Sequence, residues 1–437
     1  MPPRIVILGA GPTGLGAACR LRELGYDNWH LYEKAPTAGG LSGSITDANG
    51  FTWDYGGHVL FSTFTRVDRL LDSLGTKFFH HHQRRAYIRL HDCFIPYPFQ
   101  QHLDELPASL REFILHTNDE ARPDPGKTKN FFQWLTATFG HGPGEIFFYP
   151  YNHKVWGHDL EKMSYSWVTQ RISPAEQDRN RQWGPNSTFL YPRQGGMGGL
   201  FRSLAARFPK AITYDAEVVA VDTRQGRLKT ADGRTDSFDY LVSSLPLTHL
   251  LQFLEPAPPE PVTKAGGFLA WNSCTVTGVG LARPAKTDFT WLYYPEPEYP
   301  FYRVTALSNY AASLVPQSNH SAEPVAFMCE TTTRSAAEPS PDAVVSGLQQ
   351  SQLRPNPTEP LTLIRLRLPL AYPIPTLDRD QNLHIIQEYL ASQRILSRGR
   401  FGGWKYEIGN MDHSLIQGIE AIDRILLQQP ETVYTSC

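Results

Sequence analysis

The first apolar positions of the chain run together instead of alternating. Arg4–Leu8 reads RIVIL, a continuous β-branched run of the kind found in strands buried on both faces. Gly9-Ala10-Gly11-Pro12-Thr13-Gly14 follows at once, Leu15–Leu24 has helical composition, and a second short strand over His30–Tyr32 ends at Glu33. This is a βαβ opening. Ala86–Leu90 and Cys93–Tyr97 predict a hairpin that turns at His91-Asp92. From Gln100 to Asn180 the period lengthens: Leu103–Ile114, Thr128–Phe139 and Gly144–Phe148 predict a mostly helical insert. Gln182–Gly199, polar and rich in Gly and Pro, reads as a mobile loop. Ile212–Val221, Arg227–Thr230, Tyr240–Ser244, Cys274–Leu281 and Phe289–Tyr294 predict further strands, and Leu415–Leu427 a closing helix. Ser335–Pro341 and Gln352–Pro360 read as polar loops.

Composition narrows the class. A chain of 437 residues has room for two to four domains. Its 41 Lys+Arg against 43 Asp+Glu argue against a general nucleic-acid binder, while leaving room for a small basic pocket around one anionic ligand. With 23 Phe, 20 Tyr and 9 Trp the chain is not disordered. No run approaches the ~18–20 apolar residues of a transmembrane helix, and the short, glycine-broken N-terminal stretch is not expected to be a secretory signal. Cys19, Cys93, Cys274, Cys329 and Cys437 are scattered and form no CxxC pair, so neither a disulfide framework nor a zinc site is expected, and a reducing, cytoplasmic compartment is. The adjacent His80-His81-His82 are poorly spaced to share one ion, and no metal is expected. Charge and composition do not decide the oligomeric state.

Four constellations carry candidate chemistry. Gly9-x-Gly11-x-x-Gly14 sits between a strand and a helix, with Glu33 19 residues beyond the last glycine. The glycines permit a tight turn, close approach of a pyrophosphate and helix–sheet packing, and the acid suits ribose hydroxyls. Gly39-Gly40-Leu41 follows soon after, which suits the long body of FAD as well as an ordinary turn. Asp54-Tyr55-Gly56-Gly57-His58 could lie against a flat ring, or be a turn with a structural histidine. Arg171, Arg303 and Arg400 stand in low-charge, aromatic or glycine-rich contexts and could converge on a diphosphate, or each pair with a carboxylate. Tyr97-Pro98-Phe99-Gln100 and Tyr151-Asn152-x-Lys154-x-Trp156 could stack and read a base, or pack a core.

Several stretches in order, YGGHVLFS (55–62), IPYPFQ (95–100), PYNHKVW (150–156), WGPNSTF (183–189), PFYRVTALSNY (300–310), AYPIPTL (371–377) and SRGRFGGWKYEIGNMDHS (397–414), resemble the UDP-galactopyranose mutase family, in its eukaryotic-type branch. The resemblance covers nearly the whole chain. It implies an α/β fold: a Rossmann-like FAD-binding domain of the amine-oxidase-like superfamily (1–75, 190–248 and 386–437), a helical domain with a mobile flap (101–189), and an antiparallel-sheet substrate domain (76–100 and 249–385). It implies interconversion of UDP-galactopyranose and UDP-galactofuranose without net redox, through an adduct between the sugar and N5 of reduced FAD, with NADPH as reductant.

The same resemblance assigns residues. Arg171 and Arg303 match phosphate arginines, and Tyr293, Tyr372 and Tyr406 phosphate-binding tyrosines. Tyr97, Phe99, Gln100, Asn152 and Trp156 match the uracil region. His58 matches the histidine near N5, Asn186 the flap asparagine and Asn410 a residue close to the sugar. Arg400 and the segment with Asp412 and His413 match a region touching flavin or substrate, and Gly9, Gly11, Gly14, Glu33, Gly40, Leu41, Gly57 and His58 fall to the cofactor. Met411, Ala86 and Leu368-Pro369-Leu370 depart from the family pattern. They leave the diphosphate clamp intact but bear on how the flavin is reduced and on which sugar is used. Two alternatives stand beside this reading: the same chemistry on another nucleotide sugar such as UDP-arabinose or UDP-N-acetylgalactosamine, and an FAD oxidoreductase of the same superfamily, such as a desaturase.

Overall fold

The computed structural model describes residues 2–117, 122–168, 187–282, 288–317, 324–333, 338–354 and 359–435. Ile5–Leu8 is the middle strand of a five-stranded parallel sheet, ordered Ile395–Ser397, Tyr240–Ser243, Ile5–Leu8, Trp29–Tyr32, Ile212–Thr213. All four of its residues are buried. Ile5 and Ile7 enter one apolar cluster and Val6 and Leu8 another, which is why the run is apolar without alternation. Helix Pro12–Glu23 and the C-terminal helix Met411–Leu427 cover the first face; helix Arg379–Ser392 packs on the second. The first two helices pack backbone to backbone. A Cβ at Gly16 would overlap the Leu415 carbonyl, and one at Gly418 the Thr13 carbonyl.

The second large sheet has seven strands, ordered Thr362–Pro373, Trp271–Leu281, Val325–Thr333, Arg303–Ala306, Trp291–Tyr293, Ala86–Leu90, Cys93–Pro96. It is antiparallel except where Trp291–Tyr293 pairs parallel with Ala86–Leu90, a mixed register the sequence did not suggest. Val325–Thr333 and Thr362–Pro373 were not legible as strands. The first carries Glu330 inside an otherwise buried run. The second is an edge strand whose outward positions Leu363, Arg365, Arg367 and Pro369 mix apolar, charged and imino residues.

The helical expectation over 101–168 holds with altered bounds: Leu103–Glu105 and Ala108–Thr117 are separate, Phe131–Phe139 is capped by the Asn130 side chain, and a π-helical turn at Gly144–Phe148 leads into Tyr149–Trp156. The mobile-loop reading of 182–199 does not hold where the segment is described. Thr188–Pro192 pairs with Phe79–Gln83, and Gly196–Ala205 is a helix. Positive φ at Gly195 and Gly196 turns one into the other. The wholly buried Asp54 secures the turn, accepting hydrogen bonds from Met197 N (3.0 Å), Tyr191 Oη (2.6 Å) and Ser44 Oγ (2.5 Å). One apolar cluster runs from Ile5 and Ile7 through Trp53 to Trp291 and Met328, so the two large sheets share a core. No helix among the described residues is long and apolar enough to cross a membrane.

Candidate active site

The glycine loop leaves the central parallel strand. Gly9 has φ +96°, and a Cβ at Gly14 would overlap the Gly9 carbonyl oxygen. Helix Pro12–Glu23 starts at Gly11 with no side-chain cap, so its first amides remain available to an anion. Gly40, at φ +52°, lies opposite, where a Cβ would stand 3.3 Å from the Gly11 Cα. Leu41 is half-buried beside it. The Glu33 carboxylate accepts from Ala10 N (2.6 Å) and Ala35 N (2.8 Å), which fixes it at the loop. Asp412, in the first turn of the C-terminal helix, is 1% exposed; one of its oxygens has no hydrogen-bond partner among the described residues, and the other faces His413 Nδ1 at 3.2 Å. An uncapped helix start, a groove without Cβ atoms, a placed acid and an orphan carboxylate fit FAD. Gly11 would lie against its pyrophosphate, in a loop shaped by Gly9 and Gly14, and Glu33 against its ribose, with Gly40, Leu41, Asp412 and His413 alongside.

Gly56-Gly57-His58 brings this region to the seven-stranded sheet. Arg303 and Glu330 face each other across paired strands. Arg303 Nε donates to Glu330 Oε2 and Nη2 to Oε1 (2.8 Å). Glu330 Oε1 also accepts from Gly57 N at 3.3 Å. The Glu330 side chain is 3% exposed and that of Arg303 19%, so part of the arginine side chain stays accessible. Burial opposes the Arg303 charge, but Glu330 more than offsets it and holds the pKa well above the ordinary value. A Cβ at Gly57 would stand 3.2 Å from Arg303 Nη2. His58 Nδ1 is buried with no hydrogen-bond partner among the described residues. Burial first, then the charge of Arg400, push the His58 pKa down to about 4, so the ring is neutral at pH 7. Arg400 is fixed by donation from Nε to Gly409 O (3.0 Å) and from Nη1 to Ala371 O (3.3 Å), and lies 5.4 Å over the Tyr372 ring.

A shell of phenols completes the site. Tyr293 meets Tyr97 and Tyr151 at centroid distances of 5.1 Å, and Tyr406 meets Tyr372 at 5.7 Å and Trp156 at 4.9 Å. Burial raises the pKa of Tyr97 and Tyr293 and pushes that of Tyr372 up to about 12, so these hydroxyls stay protonated donors at neutral pH. Tyr97, Tyr293, Tyr372, Tyr406, Arg303, Arg400, His58 and Asn410 are all half-buried: each keeps a face open. Gln100 is half-buried as well.

Other expected residues stand behind this surface. Phe99 is wholly buried against Phe147 and Phe148, which makes it core. Asn152 spends its amide within its own helix, donating to Phe148 O (2.8 Å) and accepting from Trp156 Nε1 (3.3 Å). Trp156, 1% exposed, backs Tyr406. Arg171 and Asn186 lie outside the described residues. Sequence reading missed Glu330 and Asn272. Asn272 accepts from Tyr372 N (3.0 Å) and donates to Val155 O (2.9 Å) and Trp156 O (3.1 Å), tying the helical layer to the sheet. The one signal for Glu330 was an acid inside the apolar VAFMCETTT. Among the described residues no group of three His, Cys, Asp or Glu is placed to hold a metal ion, and His82 Nε2 instead meets Tyr310 O at 2.8 Å.

Fold and site together define a flavoprotein, and a family model described as flavin containing amine oxidoreductase matches residues 12–354. A solved structure of reduced UDP-galactopyranose mutase is similar at a TM-score of 0.91, with 35% identity over 99% of this chain and 95% of that one. The chain belongs to the UDP-galactopyranose mutase family. More distant likeness shows the fold alone: a CLA-producing fatty acid isomerase from P. acnes aligns over 97% of this chain and 99% of its own at 13% identity and a TM-score of 0.67. A zeta-carotene desaturase from Zea mays is 35% identical over 72 residues, which span 16% of this chain and 12% of that protein.

Proposed function

We propose that the protein interconverts UDP-galactopyranose and UDP-galactofuranose, with its FAD in the reduced state and no net redox change. The observation that carries this reading is the convergence of Arg303, Tyr293, Tyr372 and His58, each with an open face, around the Gly56-Gly57-His58 turn. Bound and reduced, the flavin supplies a nucleophilic nitrogen for covalent catalysis at the anomeric carbon. The chain's own residues have three tasks. Arg303, held in orientation by Glu330, and the phenols of Tyr293 and Tyr372 stabilise the charge that develops as the sugar–diphosphate C–O bond breaks. Tyr97 and Gln100 hold the uridine end, and Tyr406, backed by Trp156, joins the phosphate-binding phenols. Neutral His58 can accept a hydrogen bond at one ring nitrogen and donate at the other beside the flavin, without adding a third cation to Arg303 and Arg400.

NADPH is proposed as the reductant. Arg84, whose guanidinium lies 5.0 Å over the Tyr97 ring, supports an anionic contact at that edge of the site. The four described cysteines are free, which supports a reducing, cytoplasmic setting. The test is anaerobic incubation of the dithionite-reduced holoprotein with UDP-galactofuranose, followed by chromatography. Formation of UDP-galactopyranose only after reduction is the expected result. No conversion by flavin-loaded protein that binds UDP would move the assignment to another UDP-sugar; no UDP binding at all would overturn it.

A further inference from the structure

The first helix begins at the glycine loop and ends at a cavity of about 510 Å³. Five arginines line it: Arg20 and Arg22 from the end of that helix, Arg66 and Arg69 from helix Thr65–Asp72, and Arg207 just beyond helix Gly196–Ala205. Glu23 is the only carboxylate lining it among the described residues. Asp423, from the C-terminal helix, reaches Arg20 Nε and Arg66 Nη1, both at 2.6 Å. Two carboxylates against five guanidiniums leave three positive charges unmatched. Arg22, Arg69 and Arg207 make no ion pair among the described residues. Arg22 lies 5.9 Å over the Phe208 ring, and Arg207 donates to Ser73 O (3.2 Å) and Oγ (2.9 Å).

A simpler account is that arginines favour helix C-termini. Three helices end here, each with roughly half a negative charge at its C-terminus. Together these offset only about half of the surplus, and they do not require the guanidiniums to converge on a cavity. Planar forks on several sides of one space match phosphate oxygens, which accept in pairs. The cavity lies within the size range of small-molecule sites. Its apolar members Leu70 and Phe208 are buried, 7% and 6% exposed, and so offer nothing to enter a bilayer.

We propose that this cavity binds a soluble anion with a chain of two or three phosphates, at a site separate from the one that holds the nucleotide sugar. The probe is tripolyphosphate, titrated calorimetrically at low ionic strength into FAD-loaded full-length protein saturated with UDP, so that the substrate site is filled. One further equivalent is expected to bind. Arg69→Ala/Arg207→Ala should weaken it at least tenfold while turnover stays unchanged, and Arg69→Lys/Arg207→Lys, which keeps charge but loses the fork, should fall between. Where the alanine pair melts early, Arg22→Ala serves, since that side chain has no hydrogen bond to lose among the described residues. Absence of binding by the wild type, or equal affinity in all variants, would overturn the proposal. So would retention by phosphatidic acid vesicles without any tripolyphosphate binding, which would make the face a membrane contact.

Discussion

Glu330 offers the sharpest test of how the site is built. Its carboxylate accepts two hydrogen bonds from Arg303 and one from Gly57 N, so it orients the arginine and pins the turn that carries His58. Glu330→Gln keeps the volume and one acceptor but removes the charge opposite the guanidinium. A hydrogen bond to a charged group contributes about 1.5–3 kcal/mol, and if that much orientation is lost from the transition state, kcat falls roughly 10- to 150-fold. UDP affinity should change far less, because Arg303 keeps its charge and the tyrosines are untouched. Glu330→Ala goes further. It leaves the partly buried Arg303 guanidinium without its partner, for which up to about 3–5 kcal/mol of folding stability is lost. The assay is anaerobic turnover of the reduced enzyme, with UDP affinity by calorimetry, flavin content by absorbance and melting temperature measured on the same samples. Wild-type kcat in a folded, flavin-loaded Glu330→Gln would refute the charge-dependent orienting role of Glu330.

Arg303→Ala is expected to lose turnover yet stay yellow; full activity would remove it from the diphosphate site. Gly11→Val should fold without flavin, because a Cβ there meets only Gly40 Cα at 3.9 Å and would enter the space proposed for the cofactor; normal flavin occupancy would contradict the loop assignment. The His58 pKa, pushed down to about 4, lies below the usual 6.5. Its contribution to stability is therefore present above about pH 6.5 and lost as pH falls toward 4. Urea midpoints across that window should fall less steeply for His58→Gln than for wild type, and equal slopes would refute the placement. Glu431→Ala, which strands Arg398 from its bidentate partner (2.5 and 2.6 Å, both side chains 3% exposed), should cost about 3–5 kcal/mol in denaturant unfolding; a change under about 1 kcal/mol would show the pair to be dispensable.

Local sequence determined what local physics controls. A doubly buried strand, the glycine turn after it and an acid one strand later could be read from Ile5 to Glu33, because their meaning depends on backbone sterics and on spacing within one βαβ unit. The tyrosines, Arg303 and His58 were legible as chemistry, and resemblance supplied their grouping. Their division of labour was decided only in three dimensions. Phe99 and Tyr97 are two residues apart in one motif, yet Phe99 is wholly buried in the helical core while Tyr97 packs on Tyr293 and keeps a face open. Gln194–Gly199 has a loop's composition, yet it forms a turn and the buried start of a helix, because Asp54, 143 residues away from Met197, accepts its backbone amide. Glu330 gains its role from the register of two strands that set it opposite Arg303, and the arginine cavity from three helix ends brought to one place. Pairing across the chain depends on burial and register, which no single segment encodes, and there the tertiary structure alone assigns the partners.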